Sequence, residues 1–204
     1  VFGAYAITGL GLPPLLGLLA AIIVGALFGY LTDVIASRRV VSRSDEHLWL
    51  LSTLALATIV QQGVGLWWGT EPRPFPRLIP QDFSAGLADQ KYWLPIVTTA
   101  LLAVALELFY RRTLYGKLFV AMSEDTFAAR ARGIETDRIR ALSYVLAGII
   151  GGIAGFAAGQ LTFAFFALGL TLTLNGFIAL AVGGLGSNAG ALVGGAALWL
   201  LNAW

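Results

Sequence analysis

The sequence contains no cysteine and a single histidine, His47. Disulfides, thiolate catalysis and Cys-ligated metals are therefore excluded, and no multi-histidine metal site can be built from this chain. Charge is nearly as scarce. Asp, Glu, Lys and Arg make up 12% of the residues, against ~25% in soluble globular domains. The first charged residue is Asp33 and the last is Arg140, so residues 1–32 and 141–204 are uncharged. At ~1.5 Å rise per residue, the second stretch as helix equals about three crossings of a ~30 Å hydrocarbon layer. The formal net charge of +2 is too small to indicate a nucleic-acid partner. What remains is apolar, at 58% of the chain. Only helices or closed barrels span a bilayer, and barrel strands would alternate polar and apolar residues, which these runs do not. The composition predicts an all-α, polytopic transmembrane helical bundle.

Segment 1–12 is too short to span and reads as the end of a longer helix, broken by Pro13 and Pro14. Spans are expected at 15–35, 48–68, 92–110 and 141–162. A turn near 166–170, an apolar segment at 171–182, the break GGLGSNAG at 183–190 and a helix from 191 follow. That makes about six full or partial spans in one transmembrane domain over 1–204. The chain opens on Val1 with no basic region ahead of it and closes inside an apolar run. It reads as lacking a signal peptide and as truncated at both ends.

Loops 36–47 and 111–140 carry ten Lys and Arg residues, and loop 69–91 carries three. The positive-inside rule makes the first two cytoplasmic and the third external. Trp67, Trp68, Tyr92 and Trp93 then form an outer interface belt. Pro72, Pro74, Pro76 and Pro80 make loop 69–91 a stiff, extended connector.

The stretch 111–140 carries the most detailed pattern. Ser123 suits an N-cap, Glu124 and Asp125 a first turn, Arg130 and Arg132 a last turn, and Gly133 the position just past the end. Phe127, Ala128, Ala131 and Ile134 fall on one apolar stripe. Thr136 then suits the cap of a second helix entering the membrane, with Asp137 at its start. An amphipathic helix of this kind either lies on lipid headgroups or presses into a groove of a partner protein.

Gly148, Gly151, Gly152, Gly155 and Gly159 lie on one helical face with small-xxx-small spacing, which permits close helix packing or a sliding contact. Thr171, Thr173 and Asn175 precede the glycine-rich break, which reads either as a simple turn or as a substrate-binding helix interruption. Asp33 and Glu107 are the only carboxylates in spans. Both lie near the basic ends, and Arg111 sits four residues after Glu107, which favours ion pairing over proton transfer. GLGSNA at 184–189 meets only the relaxed dinucleotide pattern, in the wrong context, and no phosphate-binding GxxxxGK[ST] loop is present. No catalytic constellation is visible.

The run YGKLFVAMSEDTFAARARGIETDRIRALSYVLAGIIGGIAGF (115–156) resembles the coupling loop and following helix of the branched-chain amino acid permeases of ABC transporters. GFIALAVGGLGSNAGALVGG (176–195) resembles that family's glycine-rich signature, and Phe2-Gly3-Ala4-Tyr5 the end of its N-terminal one. The wording GFIALAVGGLGS favours the first of the two permease types. The resemblance implies a permease subunit of an ATP-driven importer in the inner membrane, carrying branched-chain amino acids or a similar small polar solute. It implies two ATPase subunits that bind ATP and Mg, a second permease subunit and an external substrate-binding protein, with no cofactor in this chain. It assigns ATPase coupling to Glu124, Asp125, Phe127, Ala128, Ala131, Gly133 and Ile134. The spacing itself gives helix packing to Gly148, Gly152, Gly155 and Gly159, and the polar residues before the glycine-rich break give a possible substrate path at Thr171, Thr173 and Asn175. Urea, short amides or a monosaccharide are alternative cargoes. An ion-gradient carrier or channel and a membrane enzyme are the readings from other classes.

Overall fold

The computed structural model describes residues 3, 7, 9, 11, 13–37, 48–72, 75, 90–159, 161–184 and 188–202. Helix α1 (Pro14–Thr32) starts on a proline pair. Pro13 is its N-cap, and Pro14 occupies the first turn, where a missing N–H leaves no bond unmade. The helix continues into a π-helical turn, Asp33–Ser37. Then follow α2 (Leu48–Trp68), α3 (Gln90–Arg112), α4 (Leu114–Glu124), α5 (Thr126–Ala131), α6 (Thr136–Ala158), α7 (Leu168–Gly183) and α8 (Asn188–Asn202). Among the described residues, Pro14–Ala36, Tyr92–Arg112 and Thr136–Ala158 are long and apolar enough to cross a membrane, and α7 is apolar but shorter. The chain is an all-α membrane protein.

The spans expected at 15–35, 48–68 and 92–110 fall on α1, α2 and α3. The span expected at 141–162 begins earlier, at Thr136, and ends at Ala158. Helix α7 starts within the turn expected at 166–170, and α8 starts within the break expected at 183–190. Most of segment 1–12 and of loops 36–47 and 69–91 lies outside the described residues.

Helix α4 occupies residues that the charge pattern leaves inside a polar stretch. Its cause is a tight corner after α3. Thr113 Oγ1 donates to the Phe109 carbonyl at 2.6 Å and accepts the Gly116 N–H at 3.0 Å, which caps the new helix. A Cβ at Gly116 would sit well inside 3.0 Å of the Phe109 carbonyl, so only glycine lets the chain fold back here. Phe119 then buries its ring 5.6 Å from that of Phe109.

The residues form two compact units, 1–165 and 166–204. In the first, α1 and α6 pack antiparallel along their length. The contact is backbone on backbone. A Cβ at Gly152 would lie 2.5 Å from the Ala21 carbonyl, and Cβ atoms at Gly25, Gly29 and Gly148 would press still closer on the opposite backbone. Each step of four residues up α1 meets a step of four down α6: Ala21 with Gly152, Gly25 with Gly148, Gly29 with Tyr144. Small residues permit this approach, because in lipid the attraction comes from van der Waals packing rather than from burying apolar surface. At the far end of α6, Phe75 packs edge-on against Phe156 at 5.1 Å, and its ring lies 2.8 Å from where a Cβ on Gly159 would be.

The second unit repeats the device. Helices α7 and α8 form an antiparallel hairpin in which a Cβ at Gly194 would strike the Ala179 carbonyl and one at Gly183 the Gly190 carbonyl. Gly184 follows with φ +96°, a conformation that L side chains resist, and donates its N–H to the Leu180 carbonyl. Within the glycine-rich run, Gly183 and Gly190 are thus spent on the helix crossing and Gly184 on ending α7, and residues 185–187 lie outside the described residues.

The five glycines expected to share one packing face separate in the structure, and a Cβ at Gly151 would meet nothing within 4 Å. Gly148 and Gly152 meet α1, Gly159 meets Phe75, and a Cβ at Gly155 meets nothing within 4 Å. Gly148→Leu and Gly152→Leu should therefore lower the yield of folded protein after detergent extraction, since overpacking typically costs ~1–3 kcal/mol and here the obstacle is rigid backbone. Gly155→Leu should leave the yield unchanged. Equal loss in all three variants would contradict the contact.

Candidate functional site

The described chemistry gathers at the end of the first unit where α1 finishes and α6 begins. Helix α5 is the exposed element there. It is shorter than the 124–132 expected from the pattern, and Asp125 rather than Ser123 caps it. The Asp125 carboxylate accepts the Ala128 N–H at 2.9 Å. Ser123 lies in the last turn of α4 and donates to the Val120 carbonyl, so its hydroxyl is already engaged. Glu124 closes α4 rather than opening α5. The C-terminal end is as the pattern predicts. Gly133 has φ +83° and donates its N–H to the Arg130 carbonyl, while the Ile134 N–H reaches the Ala129 carbonyl. These two bonds with a left-handed glycine form the Schellman stop.

The apolar stripe divides. Ala129 is the residue of α5 buried against the protein. Phe127 is 83% exposed, Ala131 is exposed beside it one turn on, and Ala128 and Ile134 are half-buried. A phenylalanine standing this far out of a short, doubly capped helix is the most prominent apolar projection of the segment between α3 and α6.

Arg130 points back to α6. Its Nε and Nη2 both donate to Thr136 Oγ1, at 3.2 and 2.9 Å. Thr136 is 5% exposed and is the first residue of α6. The expectation that its hydroxyl caps that helix is corrected: Thr136 is already the first helical residue, the N-cap is Glu135 with no side-chain bond, and the Thr136 oxygen accepts from the guanidinium of Arg130.

One helical turn further along α6, Arg140 donates from Nε to Asp33 Oδ1 at 2.9 Å and contacts Asp137 Oδ1 from Nη1 at 3.0 Å. Asp33 is fully buried, at 0% exposure, and the Arg140 side chain is 18% exposed. Asp33 belongs to the π-helical turn that ends α1, a geometry frequent at functional sites. The pair sits at the next step of the α1–α6 register, after Gly29 and Tyr144. Sequence reasoning names Asp33 as an ion-pairing residue but not its partner. The signal was present, since these are the first and the last charge of the chain. Glu107 pairs with Arg111 across one turn of α3, at the exposed surface, as the spacing predicts.

Thr171, Thr173 and Asn175 are all exposed on α7. Thr171 and Thr173 donate to the carbonyls four residues back, Ala167 and Gly169. At helical spacing Thr171 and Asn175 share a face and Thr173 lies across the helix from them.

Residues 1–204 match the family model described as the branched-chain amino acid transport system permease component. The chain belongs to that family. It is 30% identical over 200 residues to the high-affinity branched-chain amino acid transport system permease protein LivH of Salmonella typhimurium, covering 92% of this chain and 63% of that protein. It is 28% identical over 210 residues to BraD of Pseudomonas aeruginosa, covering 98% and 68%. With the probable permease protein LivH of Methanocaldococcus jannaschii it shares 26% identity over 95% of this chain and 66% of the relative. No solved structure matches significantly. The chain thus spans somewhat less than two thirds of the length of the Salmonella relative.

The buried and exposed ion pairs should differ in weight. Asp33→Leu leaves the Arg140 guanidinium facing a buried apolar side chain, and breaking a buried pair from one side typically costs ~3–5 kcal/mol. The thermal midpoint of the detergent-solubilised protein is expected to fall clearly. Glu107→Gln removes an exposed pair of the kind worth ~0–1 kcal/mol and should hardly move it. Equal shifts would refute the distinction.

Proposed function

We propose that the chain forms most of a permease subunit of an ATP-driven importer in the inner membrane, translocating branched-chain amino acids or a similar small, net-neutral polar solute. The observation that carries the proposal is the family match over the whole chain. The relatives' printed names supply the cargo class. The spans offer a solute almost no charge, which disfavours a permanently charged cargo. Thr171 and Asn175, on one exposed face of α7, are candidate contacts for it. Urea, short amides and monosaccharides fit the same absence of charge.

In this proposal two partner ATPases bind ATP and Mg, and this chain needs no cofactor of its own. A second permease subunit completes the path, and an external binding protein delivers the solute. The loops at 36–47 and 111–140 are cytoplasmic, and 69–91 is external. Helix α5 is the docking element, with Phe127 as its anchor, since exposed aromatic side chains supply much of the energy at protein interfaces.

Three measurements test the proposal. Vesicles holding the full complex should take up branched-chain amino acids in an ATP-dependent manner, in preference to cationic or dianionic solutes. Strong uptake of a permanently charged solute would overturn the cargo. With an impermeant thiol reagent on intact cells, Ser84→Cys should react and Ser123→Cys should not. The opposite labelling would invert the topology. Phe127→Ala should insert normally but lose ATPase recovery in a pull-down, by roughly thirtyfold in affinity if the anchor contributes ~2 kcal/mol. Gly133→Val should act in the same direction, because a β-branched residue resists the left-handed stop. Unchanged recovery in both would assign α5 to lipid headgroups.

A further inference from the structure

Two polar ties lie about one turn apart at the start of α6, one to α5 and one to the turn that ends α1. Arg130 on α5 grips the Thr136 hydroxyl with two N–H groups. One turn later on the same helix, Arg140 grips the buried Asp33 of α1. Thr136 and Asp33 are the two polar residues that the described structure buries almost completely. Each is held by an arginine, whose planar, fixed charge suits a bond that must keep its direction.

We propose that the first turn of α6 is a transmission junction: Arg130 and Thr136 tie the docking helix to α6, and Arg140 and Asp33 tie α6 to α1. The proposal rests on the reading of α5 as the ATPase-docking element. Thr136 and Arg130 are positioning residues, since neither would touch solute or nucleotide.

The geometry supports transmission rather than mere fastening. Helix α5 ends in a Schellman stop at Gly133, and only Ile134 and Glu135 separate that glycine from α6. A glycine followed by two unhelical residues is a hinge unless something spans it. The Arg130–Thr136 bonds span it from the last turn of α5 to the first residue of α6. With the bonds made, a displacement of α5 carries α6. The glycine contacts and the Asp33–Arg140 pair then carry α1 along in fixed register. With the bonds absent, α5 can stay docked while the hinge absorbs the motion.

The test uses the whole complex, with Thr136→Val, which keeps the shape and removes the acceptor, and Thr136→Ser, which keeps the acceptor. Three quantities are read: ATPase recovered with the permease, ATP hydrolysed, and solute taken up per ATP. Thr136→Val should recover the ATPase as the wild type does, while uptake per ATP falls about tenfold, equivalent to ~1.4 kcal/mol. Thr136→Ser should restore most of the coupling. Normal uptake per ATP in Thr136→Val would overturn the proposal. So would an equal defect in Thr136→Ser, which would trace the effect to packing. Failure of wild-type permease to recover any ATPase would instead sink the docking reading, and the junction with it. The first two outcomes require the ATPase to be bound, so the two failures are distinguishable.

Discussion

The first unit depends on one constraint: the backbones of α1 and α6 touch. Helices that meet through leucine can slide or rotate by a fraction of a turn and find another fit. Helices that meet carbonyl against glycine Cα cannot shift by such a fraction, because their main chains are already in contact. The repeat of four on both helices carries this backbone contact through three successive steps. The fourth step of the same register brings Asp33 and Arg140 together at 2.9 Å. The ion pair is a consequence of the glycine contact as much as its complement. A carboxylate and a guanidinium cannot share a buried site unless the helices carrying them are placed to within hydrogen-bond distance.

This explains which parts of the fold the sequence makes legible. Absence of charge from 1–32 and from 141–204 is enough to indicate membrane helices, and helices α1, α2 and α3 follow from apolar runs and their polar flanks. The glycine stripe on α6 is also visible as spacing. Its partner is not announced in the same way, because Gly17, Ala21, Gly25 and Gly29 sit four apart inside a run with no polar face to orient them. Periodicity tells which residues share a side of a helix. It does not tell which side meets protein and which meets lipid when both sides are apolar, and so Gly155 could not be separated from Gly152 by spacing alone. The α3–α4 corner was hidden for a different reason. It depends on a threonine bonding in both directions and on one glycine under a carbonyl, neither of which leaves a periodic trace.

The local chemistry around α5 was read from residue types and came out displaced rather than reversed. Acid before, glycine after and apolar residues between are all in place, but the cap is Asp125 and not Ser123. Two neighbouring candidates for one cap differ by which is free to turn back on the helix, and Ser123 is occupied by its own helix. Thr136 illustrates the same displacement. A threonine preceding a helix suggests a cap, yet Thr136 is already the first helical residue, and its oxygen accepts from the guanidinium of Arg130.

Exposure carries different meanings along this chain, and the distinction separates function from solubility in lipid. Leucines standing out from α1 and α3, two helices long and apolar enough to cross a membrane, can stand in hydrocarbon. Phe127 belongs to no span. It lies on a helix held at both ends by hydrogen bonds and aimed by a guanidinium fixed on α6, so its direction is set by protein and not by the lipid around it. A helix held in a fixed direction has already lost the backbone freedom that binding would otherwise remove. The same polar contacts that order α5 thus prepare its exposed face. They also join that face to α6, which packs backbone on backbone against α1.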